Sequence, residues 1–272
     1  MTARSDRWLG GALVVLAVAL AANSLLGPLV AGVVTYPFSR TLFLQTVGLE
    51  AVSHVLVAPW AFVAGLFALR GHGRAALLAI PPSAYTAYMF VQYAVGPQYT
   101  TYTPFVGVHL GIFVLSEVTL VAAWLRVRRT GLPAFSDRRR RLLAAALVGL
   151  AAFVLLRYVP AFAGIATGAP LPAEFAADPS MYWSIVLLDV GVVVPASLAT
   201  ALGLVRDRSW ARPAAYAVLG WFTLVPISVA AMALSMLAAG DPNADVGTAA
   251  MLSVAAVVFT AFAAWAWRPV LR

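Results

Sequence analysis

The stretch VGLEAVSHVLVAPWAFVAGLFALRGHGR, residues 47–74, decides the fold. From Val47 to Leu69 it is apolar apart from Glu50, His54 and a serine, and it stops on Arg70. A helix rising 1.5 Å per residue over that length crosses a hydrocarbon core of about 30 Å. Lipid, not water, is the solvent this run is built for.

Outward from it the same pattern repeats. Apolar runs bounded by charge or turn residues predict eight helices, at about 8–30, 47–69, 75–96, 105–125, 142–163, 183–205, 213–238 and 247–267. The chain is 62% hydrophobic and 10% charged, with a mean hydropathy of +0.91. Soluble domains carry about 25% charged residues, so this chain could not cover a water-facing surface. The expectation is an all-α integral membrane protein, multi-pass in the cell membrane, forming a single membrane domain over residues 1–272. The first run continues to Val34, which favours a retained helix over a signal peptide cut after Ala21.

The net charge of +8 follows membrane topology rather than nucleic-acid binding. Sixteen of the 18 basic residues fall in five segments: the N-terminus with Arg4 and Arg7, then 70–74, 126–141, 206–212, and the C-terminus with Arg268 and Arg272. The alternate loops hold only Arg40, with Glu174, Asp178, Asp241 and Asp245. The positive-inside rule then puts both termini in the cytoplasm. Trp8, Trp124, Trp210, Trp265 and Trp267 would mark the inner interface, and Tyr93, Tyr99, Tyr102 and Tyr182 the outer one. The run FSDRRRRLL reads as an anchor on anionic headgroups. A homo-oligomer or a larger membrane complex is compatible with this surface.

A repeat lies underneath. VAPWAFVAGLFALRGHGR (57–74) and VVPASLATALGLVRDRSW (193–210) share an 11-residue spacing from proline to arginine and are offset by 136, half the chain. Two parallel four-helix repeats, 1–136 and 137–272, would follow, as in transporters with an axis along the membrane normal.

Counted from the inner end of each helix, Asn23, His54, Gln92, His109, Arg157 and Asp189 all fall about 22–26 Å deep. Glu50 lies one turn further out, and Tyr88 joins a stripe with Tyr85, Gln92 and Tyr99. A charge in hydrocarbon costs about 2.5–3.5 kcal/mol on insertion scales, so these groups are expected to meet around an inner cavity in the outer half of the bilayer. Arg157 and Asp189 are the expected direct pair. Glu50 stands four residues before His54 on the same face.

Three functions fit. A secondary transporter or permease would line its path with these groups. A redox protein would bind haem through His54 and His109, or a metal through Glu50, His54 and His109. A non-catalytic subunit or scaffold would use the layer for packing alone. The absence of lysine excludes a retinal Schiff base, and the absence of cysteine excludes cysteine-ligated cofactors. No glycine-lysine phosphate loop is present.

Overall fold

The computed structural model describes residues 3–99 and 103–271; Tyr102, Arg272 and the side chain of Arg4 lie outside that description. Among the described residues the chain is all helical. Eight long helices follow one another: α1 (Arg7–Leu29), α2 (Arg40–Leu69), α3 (Ala75–Val95), α4 (Pro104–Val127), α5 (Asp137–Thr167), α6 (Pro179–Val205), α7 (Ala211–Ala238) and α8 (Val246–Val270).

Seven of the eight are long and apolar enough to cross a membrane; α3 falls short in composition. The reason is visible in its sequence, where Pro81, Pro82, Ser83, Tyr85, Thr86, Tyr88, Gln92 and Tyr93 dilute the aliphatics. These side chains are shielded by protein: 15 of the 21 residues are buried, and α3 packs on α2, α4, α6 and α7. The outward surface tells the opposite story. Val55, Leu156, Leu187 and Val257 are each at least two-thirds exposed, an apolar face that only lipid would cover. The chain is a multi-pass membrane protein.

Prolines shape the helices that carry the polar residues. Pro59 has no N–H for the carbonyl of Val55, and the ladder there widens into a π-turn, Ser53–Val57, closed by Ala58 N–H on Ser53 C=O. Pro195 does the same to α6: a π-turn spans Asp189–Val193, closed by Val194 N–H on Asp189 C=O. A third π-turn, Leu25–Leu29, holds Pro28 and the non-helical Gly27. Pro82 frees the Leu78 carbonyl, and the Trp60 indole donates to it at 2.9 Å.

The two proline segments match residue for residue. After each π-turn a 12-residue helix follows, Ala58–Leu69 and Val194–Val205, then a left-handed residue, Gly71 at φ 70° and Asp207 at φ 51°. The turn bonds are shared as well: His72 N–H reaches Phe67 C=O at 2.9 Å, and Arg208 N–H reaches Gly203 C=O at 2.8 Å. Packing follows the same rule. The second half of α2 lies on α1 as that of α6 lies on α5, α4 lies on α3 as α8 lies on α7, and α3 crosses α7 between them. Glycine permits the closest approaches. A Cβ on Gly220 of α7 would come within 2.4 Å of Pro81, and one on Gly48 of α2 within 2.4 Å of the Ala231 carbonyl.

The loops after α5 and α7 clamp the start of α2. Asp178 accepts from the Ser39 N–H at 3.2 Å, and Asp241 accepts from the Thr41 hydroxyl at 3.0 Å. Of the expected aromatic belt, Tyr93, Tyr182 and Trp267 are instead buried, Trp267 edge-on to Tyr216 at 5.6 Å. Their rings fill gaps between helices, so their depth along the axis does not decide their facing.

Asp245 caps α8 from water. The Thr248 N–H donates to its carboxylate at 2.6 Å and holds it below the ordinary aspartate value. A depressed value means that the stabilisation is present above the unfolded-state value of about 3.9 and is lost as pH falls through the folded-state one. The higher melting temperature of the wild type relative to Asp245→Asn, measured in detergent at pH 7, is therefore expected to shrink as pH falls below about 3.9 and to be lost under the folded-state value. A difference that does not shrink as pH falls below about 3.9 would contradict it.

Candidate functional site

The polar residues form two centres, one on each side of α3. The first surrounds Glu50, which is 1% exposed. Ser24 donates its hydroxyl to Oε2 at 2.5 Å, the Asn23 amide donates to Oε1 at 3.0 Å, and the Tyr36 hydroxyl donates to Oε1 at 3.2 Å. Asn23 also donates to Tyr36 at 2.9 Å. Asn23 and Ser24 close the regular part of α1, next to its π-turn and proline. Tyr36 comes from the link between α1 and α2, which folds back so that Val34 and Tyr36 are buried.

His109 of α4 joins the wall of this centre. It is fully buried, stacked on Tyr36 at 5.4 Å and 11°, with Tyr93 at 5.5 Å and Phe90 at 5.7 Å. Neither ring nitrogen has a hydrogen-bond partner. Three aromatic rings thus occupy the space around the imidazole, and a porphyrin ligated there would have to displace them. His54 is only half buried on its π-turn, and its Nδ1 lacks a partner.

The second centre surrounds Asp189, the first residue of the α6 π-turn and 7% exposed. The Tyr88 hydroxyl of α3 donates to Oδ1 at 2.6 Å, and the Tyr158 hydroxyl of α5 donates to Oδ2 at 2.6 Å. Short bonds of this kind to a carboxylate are the strong ones. Three helices are joined through one side chain. Tyr85 of α3 shares a 2.7 Å hydrogen bond with Ser228 of α7. Gln92 is buried but turns its amide back onto the Tyr88 carbonyl of its own helix at 3.0 Å.

Two expectations are corrected. Arg157 and Asp189 do not form a direct ion pair: the carboxylate is taken by tyrosines, and Arg157 is exposed, its guanidinium 5.5 Å from the Tyr158 ring centre. In the loop after α5, burial raises the Glu174 carboxyl and the charge of Arg157 opposes that shift. Glu50, His54 and His109 do not make a metal site; among the described residues no three His, Asp or Glu side chains converge. Two recesses lie away from the polar residues, one at Arg138, Arg139 and Trp265 and one at Val55, Pro59 and Trp60 on the lipid-facing side. Among the described residues neither Glu50 nor Asp189 forms an ion pair.

Ser24, Tyr36 and Tyr158 escaped the sequence reading. Tyr158 had a usable signal. Leu143, Leu147, Leu150, Ala151 and Tyr158 recur at helical spacing and are buried, which turns the neighbouring Arg157 outward. Tyr36 had none, because a link between helices has no periodicity. Compared with family models, curated proteins and solved structures, the chain finds no match.

Proposed function

We propose that the protein is a secondary transporter of the permease type in the cell membrane, held in a closed state, with Glu50 and Asp189 as the groups that take up and release a cation or proton. In this reading all eight helices cross the bilayer, α3 included, and both termini are cytoplasmic. Residues 1–136 and 137–272 are parallel repeats related through α3 and α7.

One observation carries it: Glu50 and Asp189 are buried in a lipid-facing bundle, with hydroxyl and amide donors around them and, among the described residues, no ion pair to either. Such a group is expensive in a membrane, and a helix can be packed without it. Each also sits at a place where the helix departs from α geometry, Asp189 inside one π-turn and Glu50 three residues before the matching one. π-turns cluster at functional sites because the widened ladder can shift its register locally. The tyrosines of α3 give the path its continuity. Tyr85 and Tyr93 stand on the Glu50 side and Tyr88 on the Asp189 side, separated along the axis by about 12 Å at most. Asn23 and His109 complete the first centre, with His54 and Gln92 at its edge.

Proton flux into proteoliposomes under an imposed membrane potential tests the reading. Glu50→Gln and Asp189→Asn keep the shape of each centre and remove its ability to change charge. Both variants should fold and lose most of the flux, on the order of tenfold or more, the range general acid–base groups contribute. Wild-type flux in both would leave the polar residues with the packing role of a scaffold.

A further inference from the structure

We propose that the recess between the start of α5 and the end of α8 is a binding site for the phosphate of one anionic phospholipid. The recess has a volume of ≈350 Å³ and is lined by Ser136, Arg138, Arg139, Leu142 and Trp265. That is room for about a dozen water-sized groups, enough for a phosphate and its glycerol.

The charge is arranged for it. Of the four successive arginines, Arg140 is already neutralised, by Asp137 at 3.0 Å and Asp207 at 2.9 Å. Among the described residues Arg138 and Arg139, the two that face the recess, have no carboxylate partner. The N-terminus of the 31-residue α5 adds its positive dipole end to the same place.

Arg139 is held in position by α8. Pro269 has no N–H for the Trp265 carbonyl, and the Arg139 guanidinium donates to that carbonyl at 3.0 Å and to the Ala266 carbonyl at 2.7 Å. It lies over the Trp265 indole at 4.6 Å. One Nη is committed to these carbonyls, and the other is the donor left for a phosphate. Arg138 is exposed and free to close over it.

The walls select a lipid rather than a free anion. Leu142 is 47% exposed on the outward side of α5, and further along the same cleft Phe153 of α5 meets Phe259 of α8 at 6.5 Å. A phosphate seated on the arginines would lay its acyl chains on Leu142 and the apolar side chains beyond it. A basic pocket between spanning helices at the arginine-rich face is the chemistry that holds such headgroups.

The test titrates the purified full chain, in dodecyl maltoside, with dioctanoyl phosphatidylglycerol, dioctanoyl phosphatidylcholine or sodium phosphate, counting adducts by native mass spectrometry. One phosphatidylglycerol should bind at least about fivefold more tightly than phosphatidylcholine, and Arg138→Gln should remove about that factor. Arg206→Gln, on the same face but in another loop, should not. Arg138 is exposed and unpaired, so its variant should keep the wild-type melting temperature. Equal binding of the two lipids, or an undiminished preference in Arg138→Gln, would overturn the site. Sodium phosphate that binds with the same Arg138 dependence would assign it to a soluble anion and overturn the lipid.

Discussion

Replacing Glu50 with leucine should destabilise the protein by about 3–5 kcal/mol, although it removes a carboxylate from a membrane interior. The sign follows from what surrounds it. The Asn23 amide, the Ser24 hydroxyl and the Tyr36 hydroxyl all point at Glu50. With leucine there, Ser24 retains the Leu20 carbonyl at 3.0 Å, while the other two lose that acceptor. A buried donor without an acceptor costs about 1–3 kcal/mol, and the link carrying Tyr36 would lose one of its ties to the bundle. Glu50→Gln should cost less than about 1 kcal/mol: its carbonyl oxygen serves Asn23 and Tyr36, and its amide donates to Ser24 as that hydroxyl turns to Leu20. Unfolding in detergent by heat or sodium dodecyl sulfate reads both variants. A leucine variant as stable as the wild type would mean that this network does not hold α1 to α2.

At the second centre, Asp189→Leu should cost about 2–4 kcal/mol, because it strands the buried Tyr158 hydroxyl and the half-buried Tyr88 hydroxyl. Tyr88→Phe and Tyr158→Phe should each cost about 1.5–3 kcal/mol, the range for hydrogen bonds to a charged group. Their effects should not add: both hydroxyls serve one carboxylate, so the double variant should show a coupling of about 0.5–2 kcal/mol. Arg157 gives the contrast. A buried partner of Asp189 would cost about 3–5 kcal/mol on removal, whereas an exposed arginine should cost less than about 1 kcal/mol. An Arg157→Gln variant that falls into the first range, with the tyrosine variants near wild type, would restore the ion pair and remove the tyrosine centre.

Much of the architecture was legible because it follows from local rules. Helix lengths come from the hydrocarbon thickness, and their ends from arginine, glycine and proline. Pro59 and Pro195, read as kinks at matched spacing, stand one residue inside the two helices that follow π-turns. The limits were just as physical. Depth along a helix is a sum of rises and can be counted, so Asn23, His54, His109 and Asp189 could be placed at one level. The direction a side chain faces needs the whole bundle. Arg157 and Tyr158 differ by one residue and about 100°; one is exposed and the other is 2% exposed and bonded to Asp189. α3 shows the same gap from the other side. Its tyrosines and prolines make it the least apolar of the long helices, and only its burial among four others explains how such a helix sits at the centre.

The sequence by itself determined the solvent and the helical class, because each depends on composition and spacing along one chain. The tertiary structure alone decided which polar groups meet. Glu50 finds Asn23, Ser24 and Tyr36, and Asp189 finds Tyr88 and Tyr158, through contacts spanning 14 to 101 residues. Such meetings are set by helix rotation and crossing, which arise from the packing of all the helices at once and leave no period in the sequence of any one.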